Sequence, residues 1–254
     1  MLSIVILKVL VGALFVGMLI VNYLANKLPL NHRTTGAISS DYPSLFTPAG
    51  ITFSIWGVIY LFLGLYVFQT LFTNQLEIAN TFQESLMYVF LISSLLNILW
   101  LFMWHYDYIF LSTIAMVLLL ATLIYGYLLI PNSYNIIKTP FSLYTAWISV
   151  ALIANITILL VKHEFKGFGI KPEVILIAIL FVATIIGGTT ILYIKDLVFG
   201  FVFLWAFFGI LIKHIVEHQK KYTSVIYSLY GFMFVIAAIL VFQLIQNSFQ
   251  LYGI

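Results

Sequence analysis

The chain has no cysteine and very little charge. Among its 254 residues there is no cysteine, and only 7% are charged. Without cysteine there are no disulfides, thiolate nucleophiles or cysteine-ligated metal or iron–sulfur sites. Soluble domains carry about 25% charged residues, so a water-facing surface cannot cover this chain. The net charge of +3 is too small to indicate a nucleic-acid partner.

Apolar residues are abundant and occur in long runs. They make up 63% of the chain, aromatic residues 17%, and the mean hydropathy is +1.14. The runs are apolar on all sides for about 20 residues, which fits membrane-spanning helices, whereas barrel strands have about 10 residues of alternating polarity. We therefore predict an all-α polytopic membrane protein with about eight transmembrane helices, at 3–24, 47–73, 85–105, 108–130, 140–162, 173–194, 197–213 and 223–246.

Loops and helix ends carry the interruptions. The first apolar run is too long for a signal peptide and has no small-residue cleavage pattern, so we expect a retained helix. Prolines are expected only in loops or first turns, where a helix tolerates them: Pro29, Pro43, Pro48, Pro131, Pro140 and Pro172. The two-residue connection Lys195–Asp196 is the weakest boundary, since a seven-helix alternative would merge or drop a helix there.

Basic residues divide unequally between the two sides of the predicted bundle. Eight of the eleven follow helices 1, 3, 5 and 7, and three lie on the opposite side. The positive-inside rule then predicts that both termini face away from the cytoplasm. The frequent Lys, Ile and Asn suggest an AT-rich bacterial genome and hence a bacterial plasma membrane. One long loop, residues 25–46, is predicted to be a lid or binding loop.

Polar and aromatic residues form a stripe on each of three predicted helices. The spacing places each set on one helix face: Trp56, Tyr60 and Gly64; Asn97, Trp100 and Trp104; Tyr144, Trp147, Ala151 and Asn155. Stacking rings, an amide and a small residue together predict a pocket for a flat, largely apolar ligand. In the alternative interpretation these residues are ordinary packing between membrane helices, and Trp104 belongs to the interfacial belt.

Three motifs resemble the tryptophan-rich sensory protein family, also called the translocator protein or peripheral-type benzodiazepine receptor (TspO/MBR) family. Its pattern of Pro, seven residues, Trp, three, Tyr, three and Gly is matched by Pro48, Trp56, Tyr60 and Gly64. Its other two motifs resemble Leu96-Asn97-Ile-Leu-Trp100 and Tyr144-Thr-Ala-Trp147-Ile-Ser-Val-Ala151-Leu-Ile-Ala-Asn155. The chain departs from the family in the position of Pro140, four residues before Tyr144, and in its longer first loop.

The resemblance covers about residues 1–162 and is closest to the longer, roughly 250-residue branch. It implies a five-helix transmembrane unit at 1–162, closed by the 25–46 lid, with three additional helices at 163–254. It further implies a pocket for a tetrapyrrole such as haem or porphyrin, a sterol or a synthetic aromatic ligand, with no cofactor required. The ligand-binding residues would be Pro48, Trp56, Tyr60, Asn97, Trp100, Tyr144, Trp147, Ala151 and Asn155.

No catalytic or metal site is predicted. His214-Ile-Val-Glu217-His218 fits a His-x-x-Glu-His pattern, but no acidic residue follows Glu217 as a third ligand, so we interpret it as a cationic helix end at the membrane surface. One alternative function is a membrane enzyme acting on a lipid-phase or tetrapyrrole substrate through His32, Asp41 or Asp107. Another is a non-catalytic structural subunit. The expected partners are the bilayer and the ligand, and the sequence also allows a homodimer.

Overall fold

A computed structural model describes residues 3–27, 30–74 and 82–253. Within these ranges the chain is helical and contains no β-strand, apart from one isolated bridge between Asp196 and Tyr252. The α-helices are α1 Ile4–Lys27, α2 Thr35–Asp41, α3 Ile55–Phe72, α4 Gln83–His105, α5 Ile109–Leu129, α6 Asn135–Lys162, α7 Pro172–Thr189, α8 Leu197–Val216 and α9 Thr223–Gln246.

All of these helices except α2 are long and apolar enough to cross a membrane, which gives eight candidate spans among the described residues. A span of hydrocarbon about 30 Å thick needs about 20 apolar residues, and each of the eight meets that length. The predicted all-α polytopic membrane class is thereby confirmed. The observed α-helix ends differ from the predicted ones by up to eight residues, the largest difference being the start of α3.

The connection between α7 and α8 separates two helices. After α7 a π-helical turn, Thr190–Ile194, leads to Lys195, which has a left-handed backbone with φ of 60°. The carboxylate of Asp196 then accepts a hydrogen bond of 3.1 Å from the amide of Phe199 and caps the start of α8. The left-handed residue ends one helix and the cap begins the next, so the eight-helix prediction is correct at its weakest boundary.

The prediction that every proline lies in a loop or first turn is wrong for Pro140. Helix α6 begins at Asn135, so Pro140 lies in its second turn. The predicted start at residue 140 is too late because Lys138 interrupts the apolar run. Instead the Lys138 ammonium is buried and donates to the carbonyl of Ile130 at 2.9 Å and to Asn132 Oδ1 at 2.7 Å. A cation inside α6 thus satisfies the carbonyl of Ile130, the residue that follows α5.

The chain divides into two compact units. The first contains residues 1–41 and 56–148, and the second contains 42–55 and 149–254. In the first unit α4 packs on α1 and α5, and Gly126 allows close packing because a Cβ there would meet Val89 Cγ1 at 2.5 Å. In the second unit α9 packs on α7 and α8. The predicted division at 162/163 stays a prediction about domains.

Part of the predicted lid segment is helical. It contains α2 and a short 3₁₀ turn, Leu30–His32, and Arg33 forms an ion pair with Asp41 within it. Residues 28 and 29 of the segment, including Pro29, lie outside the described residues. The segment passes from the first unit to the second between Asp41 and Tyr42.

Candidate ligand-binding site

Trp56, the second residue of α3, is the centre of an aromatic cluster in the first unit. Its indole stacks on Tyr60 of the same helix with ring centroids 5.4 Å apart and on Trp100 of α4 at 6.3 Å. The rings of Tyr144 and Trp147, both on α6, meet it edge-on at 5.9 and 6.4 Å. Three helices therefore place four aromatic side chains around the Trp56 indole. We call these five residues the Trp56 cluster.

A chain of hydrogen bonds runs from α1 to the Trp56 cluster. Asn22 Nδ2 donates to Asn97 Oδ1 at 3.0 Å, and Asn97 Nδ2 donates to the hydroxyl of Tyr144 at 3.0 Å. Asn97 is fully buried. Sequence reasoning identified Asn97 and missed Asn22. The available signal was its spacing, because Asn22 shares a face of α1 with the buried residues Met18 and Ala25.

Burial differs across the cluster. Tyr144 and Trp147 are buried with 2% and 1% of their surface exposed, and Trp100 is also buried. Trp56 and Tyr60 are half-buried. The hydroxyl oxygen of Tyr60 is nevertheless enclosed and has no hydrogen-bond partner among the described residues. The residues of α4 and α6 thus form the buried side of the cluster, and the α3 residues form its partly exposed side.

The first half of the predicted lid is held by the end of α4. The indole nitrogen of Trp104 donates to the carbonyl of Thr35 at 3.2 Å, and Asn31 Nδ2 donates to the carbonyl of His105 at 3.0 Å. Trp104 is buried and its ring lies 6.3 Å from that of Trp100. The indole of Trp104 is therefore packed within the protein, and the carbonyl of Thr35 in α2 accepts its N–H.

His105 also contacts this part of the lid, and its hydrogen bonds assign the tautomer of its imidazole. Its Nδ1 lies 2.8 Å from the carbonyl of Leu101, which can only accept, so Nδ1 carries the hydrogen. Nε2 is then an acceptor and lies 3.4 Å from the hydroxyl of Thr35. Asp107, with φ of 63°, belongs to the turn that follows α4, as predicted for this segment.

The segment between the predicted lid and α3 contacts α8 within the second unit. The amide of Ala49 donates to the carbonyl of Gly209 at 3.0 Å, and the indole nitrogen of Trp205 donates to the carbonyl of Thr52 at 2.9 Å. Gly209 allows this approach because a Cβ there would overlap the Thr52 side chain. Pro48 is buried within this anchored segment.

The remaining predicted residues, Ala151 and Asn155, also belong to the second unit. They lie one turn apart on α6, with Ala151 half-buried and Asn155 buried. Nearby on the same helix, Thr157 accepts a hydrogen bond of 3.0 Å from Ser44 of the loop. The structure thus brings six of the nine predicted residues together in the first unit. The other three, Pro48, Ala151 and Asn155, lie in the second.

A pair of histidines at the end of α8 makes a further contact with the loop. Nε2 of His214 lies 3.0 Å from the carbonyl of Leu45, and the rings of His214 and His218 lie 4.9 Å apart. Tyr222 meets both imidazoles edge-on. Burial lowers the pKa of His218, the charges of Lys213 and Lys221 lower it further, and Glu217 opposes them. Sequence reasoning missed the contact with Leu45, which is 169 positions away.

Comparison with known proteins supports the family resemblance. The sequence model of the family described as TSPO-like protein matches residues 8–242, so the match includes the last three helices as well as the first five. No curated protein and no solved structure matches the chain significantly. With a family match over most of its length and eight helices able to cross a membrane, the chain is an integral membrane protein of the TSPO-like family.

Proposed function

We propose that the protein binds a small, flat hydrophobic ligand at the Trp56 cluster and senses, sequesters or transports it. The observation that carries this proposal is the set of four aromatic rings that contact the Trp56 indole from α3, α4 and α6. Aromatic pairs contribute about 0.5–1.5 kcal/mol beyond the area they bury. A planar ligand that stacks on the half-buried Trp56 and Tyr60 would gain several such contacts.

Polar groups in the same place would orient the ligand. The Asn97 amide fixes the hydroxyl of Tyr144 by donating to it, which leaves that hydroxyl's hydrogen available to another acceptor. The enclosed hydroxyl of Tyr60 has no partner among the described residues. Ligand sites combine apolar walls with a few such polar groups. Packing alone would not require an enclosed hydroxyl beside an accessible indole.

The ligand class that we propose is a tetrapyrrole such as haem or porphyrin, or a sterol-like molecule. This follows from the family resemblance together with the flat aromatic surface of the cluster. The same resemblance assigns Pro48, Ala151 and Asn155 to ligand binding, and these assignments stay predictions. The proposed activity is binding without a chemical reaction. Asp41, named for the enzymatic alternative, forms an ion pair with Arg33 instead, and His32 is exposed.

A ligand titration with matched variants tests the proposal. The purified protein in detergent is titrated with protoporphyrin, haem and a sterol, and intrinsic tryptophan fluorescence is recorded. Trp56→Leu removes the central indole, whereas Phe68→Leu changes an aromatic residue of the same helix that is 63% exposed. We expect Trp56→Leu to weaken binding of at least one ligand about tenfold, from the loss of one or two stacking contacts, and Phe68→Leu to leave it unchanged. Equal affinities in both variants would contradict the proposal.

We also propose that both termini face away from the cytoplasm of a bacterial plasma membrane, on the distribution of basic residues. Because the chain has no cysteine, single cysteines report topology directly. Ser248→Cys lies after α9 and Glu164→Cys lies in the loop after α6, and both positions are exposed. A membrane-impermeant maleimide applied to intact cells is expected to label only Ser248→Cys. Labelling of only Glu164→Cys would show the opposite orientation.

A further inference from the structure

The histidine pair at the end of α8 carries an inference independent of the Trp56 cluster. His214 is fully buried, and its Nδ1 has no hydrogen-bond partner among the described residues. The same holds for the enclosed Nε2 of His218. Buried polar atoms without partners are rare in proteins, so two on adjacent imidazoles need an explanation.

The hydrogen bond of His214 fixes its tautomer. The carbonyl of Leu45, 3.0 Å from Nε2, can only accept, so Nε2 carries the hydrogen and the unpartnered Nδ1 carries the lone pair. A metal-binding histidine typically donates its other ring N–H to a backbone carbonyl or carboxylate, which orients the ring. His214 already has this arrangement.

The separation of the two rings also suits a shared ion. Zinc–nitrogen bonds are about 2.0–2.1 Å long, so two imidazoles on a tetrahedral ion have centroids about 5 Å apart. The observed separation is 4.9 Å. We propose that His214 Nδ1 and His218 Nε2 together bind a divalent transition-metal ion of the zinc class, with water in the remaining positions.

This proposed site is distinct from a metalloprotease centre. The described residues contain no group of three or more His, Asp or Glu side chains able to hold a metal ion. Lys213 and Lys221 act electrostatically on His218 and would repel a dication, while Glu217 offsets one of these charges. We therefore expect micromolar affinity.

Metal binding would also stabilise the loop. His214 holds the carbonyl of Leu45, so an ion that fixes the orientation of the His214 ring also fixes this hydrogen bond. Within the second unit, the segment that follows this loop is hydrogen-bonded to α8 at Ala49 and Thr52. The metal is thus expected to slow hydrogen exchange of the amides at 42–49.

Competition with a chromophoric chelator tests the site on the full-length protein without a polyhistidine tag. One equivalent of Zn²⁺ is expected to bind at micromolar concentration. His218→Gln and His214→Gln are expected to weaken binding at least tenfold, while the control His163→Gln, at an exposed position, keeps it. His214→Gln also removes the contact with Leu45, so this variant can fail to fold. In that case His218→Gln, which changes a half-buried residue, is the deciding test.

Hydrogen exchange with and without Zn²⁺ supplies a second readout. The original protein and His163→Gln are expected to show slower exchange at 42–49 with zinc, and His218→Gln is expected to show no zinc effect. The proposal is overturned if no zinc binds even when the zinc concentration is about 100 times the expected micromolar dissociation constant. It is also overturned if His218→Gln binds zinc as tightly as the control. Binding that leaves exchange at 42–49 unchanged would overturn the stabilisation of the loop.

Discussion

Asn97 is expected to contribute to the stability of the first unit. It makes two hydrogen bonds, one with Asn22 of α1 and one with Tyr144 of α6. Between membrane helices each such bond contributes about 0.6–1.7 kcal/mol. We therefore expect Asn97→Leu to lower the free energy of unfolding by about 1–3 kcal/mol, the sum of the two.

The two ends of this hydrogen-bond chain respond differently. Asn22 Nδ2 also donates to the carbonyl of Met18 at 2.9 Å, so it keeps a partner when Asn97 is replaced. The hydroxyl of Tyr144 loses its donor and becomes the more costly group. Tyr144→Phe alone should cost about 0.6–1.7 kcal/mol, because it removes only one of the two bonds.

A double-mutant cycle measures the coupling. The unfolding free energies of Asn97→Leu, Tyr144→Phe and the double variant are determined in detergent by chemical denaturation. The double variant should cost about as much as Asn97→Leu alone, because the shared bond is already lost, which gives a coupling of about 0.6–1.7 kcal/mol. Costs that add to within about 0.3 kcal/mol would refute the bond between these two side chains.

Two further predictions concern the loop. Trp104→Phe removes the N–H donated to Thr35 and should raise the hydrogen-exchange rate of the amides at 35–41 about two- to tenfold, as expected for a bond contributing about 0.5–1.5 kcal/mol; unchanged exchange would show that α2 is held by other contacts. Gly209→Ala places a Cβ on the Thr52 side chain and should destabilise the protein by about 1–3 kcal/mol in thermal unfolding. Gly231→Ala, where nothing lies within 4 Å, is the matched control, and equal unfolding temperatures in the two variants would be inconsistent with close packing at Gly209.

The helices could be predicted because length and polarity determine them. An apolar run of about 20 residues in a chain with so little charge has no stable alternative to a membrane helix. Errors arose where a charge lies inside a helix. Lys138 suggested a helix start that is too late, since the sequence does not show that its ammonium is buried against the carbonyl of Ile130.

Contacts across long sequence separations limited the prediction of the site. Helical spacing placed Trp56, Trp100 and Trp147 on single faces, and the structure shows these faces meeting. The helical structure within the lid segment could not be predicted from helical spacing. Its α2 helix is polar and short, and it is held by Trp104 and His105 far along the chain. No periodicity reports such tertiary contacts.

Photoaffinity labelling tests the central claim, ligand binding at the Trp56 cluster, most directly. A porphyrin carrying a photoreactive group is bound to the purified protein, crosslinked and located by mass spectrometry of the fragments, with excess unlabelled porphyrin as competitor. We predict saturable labelling, suppressed by the competitor, on peptides of α3, α4 and α6 that contain Trp56, Trp100 and Trp147. Labelling confined to α7–α9, or labelling that the competitor does not reduce, would contradict the account.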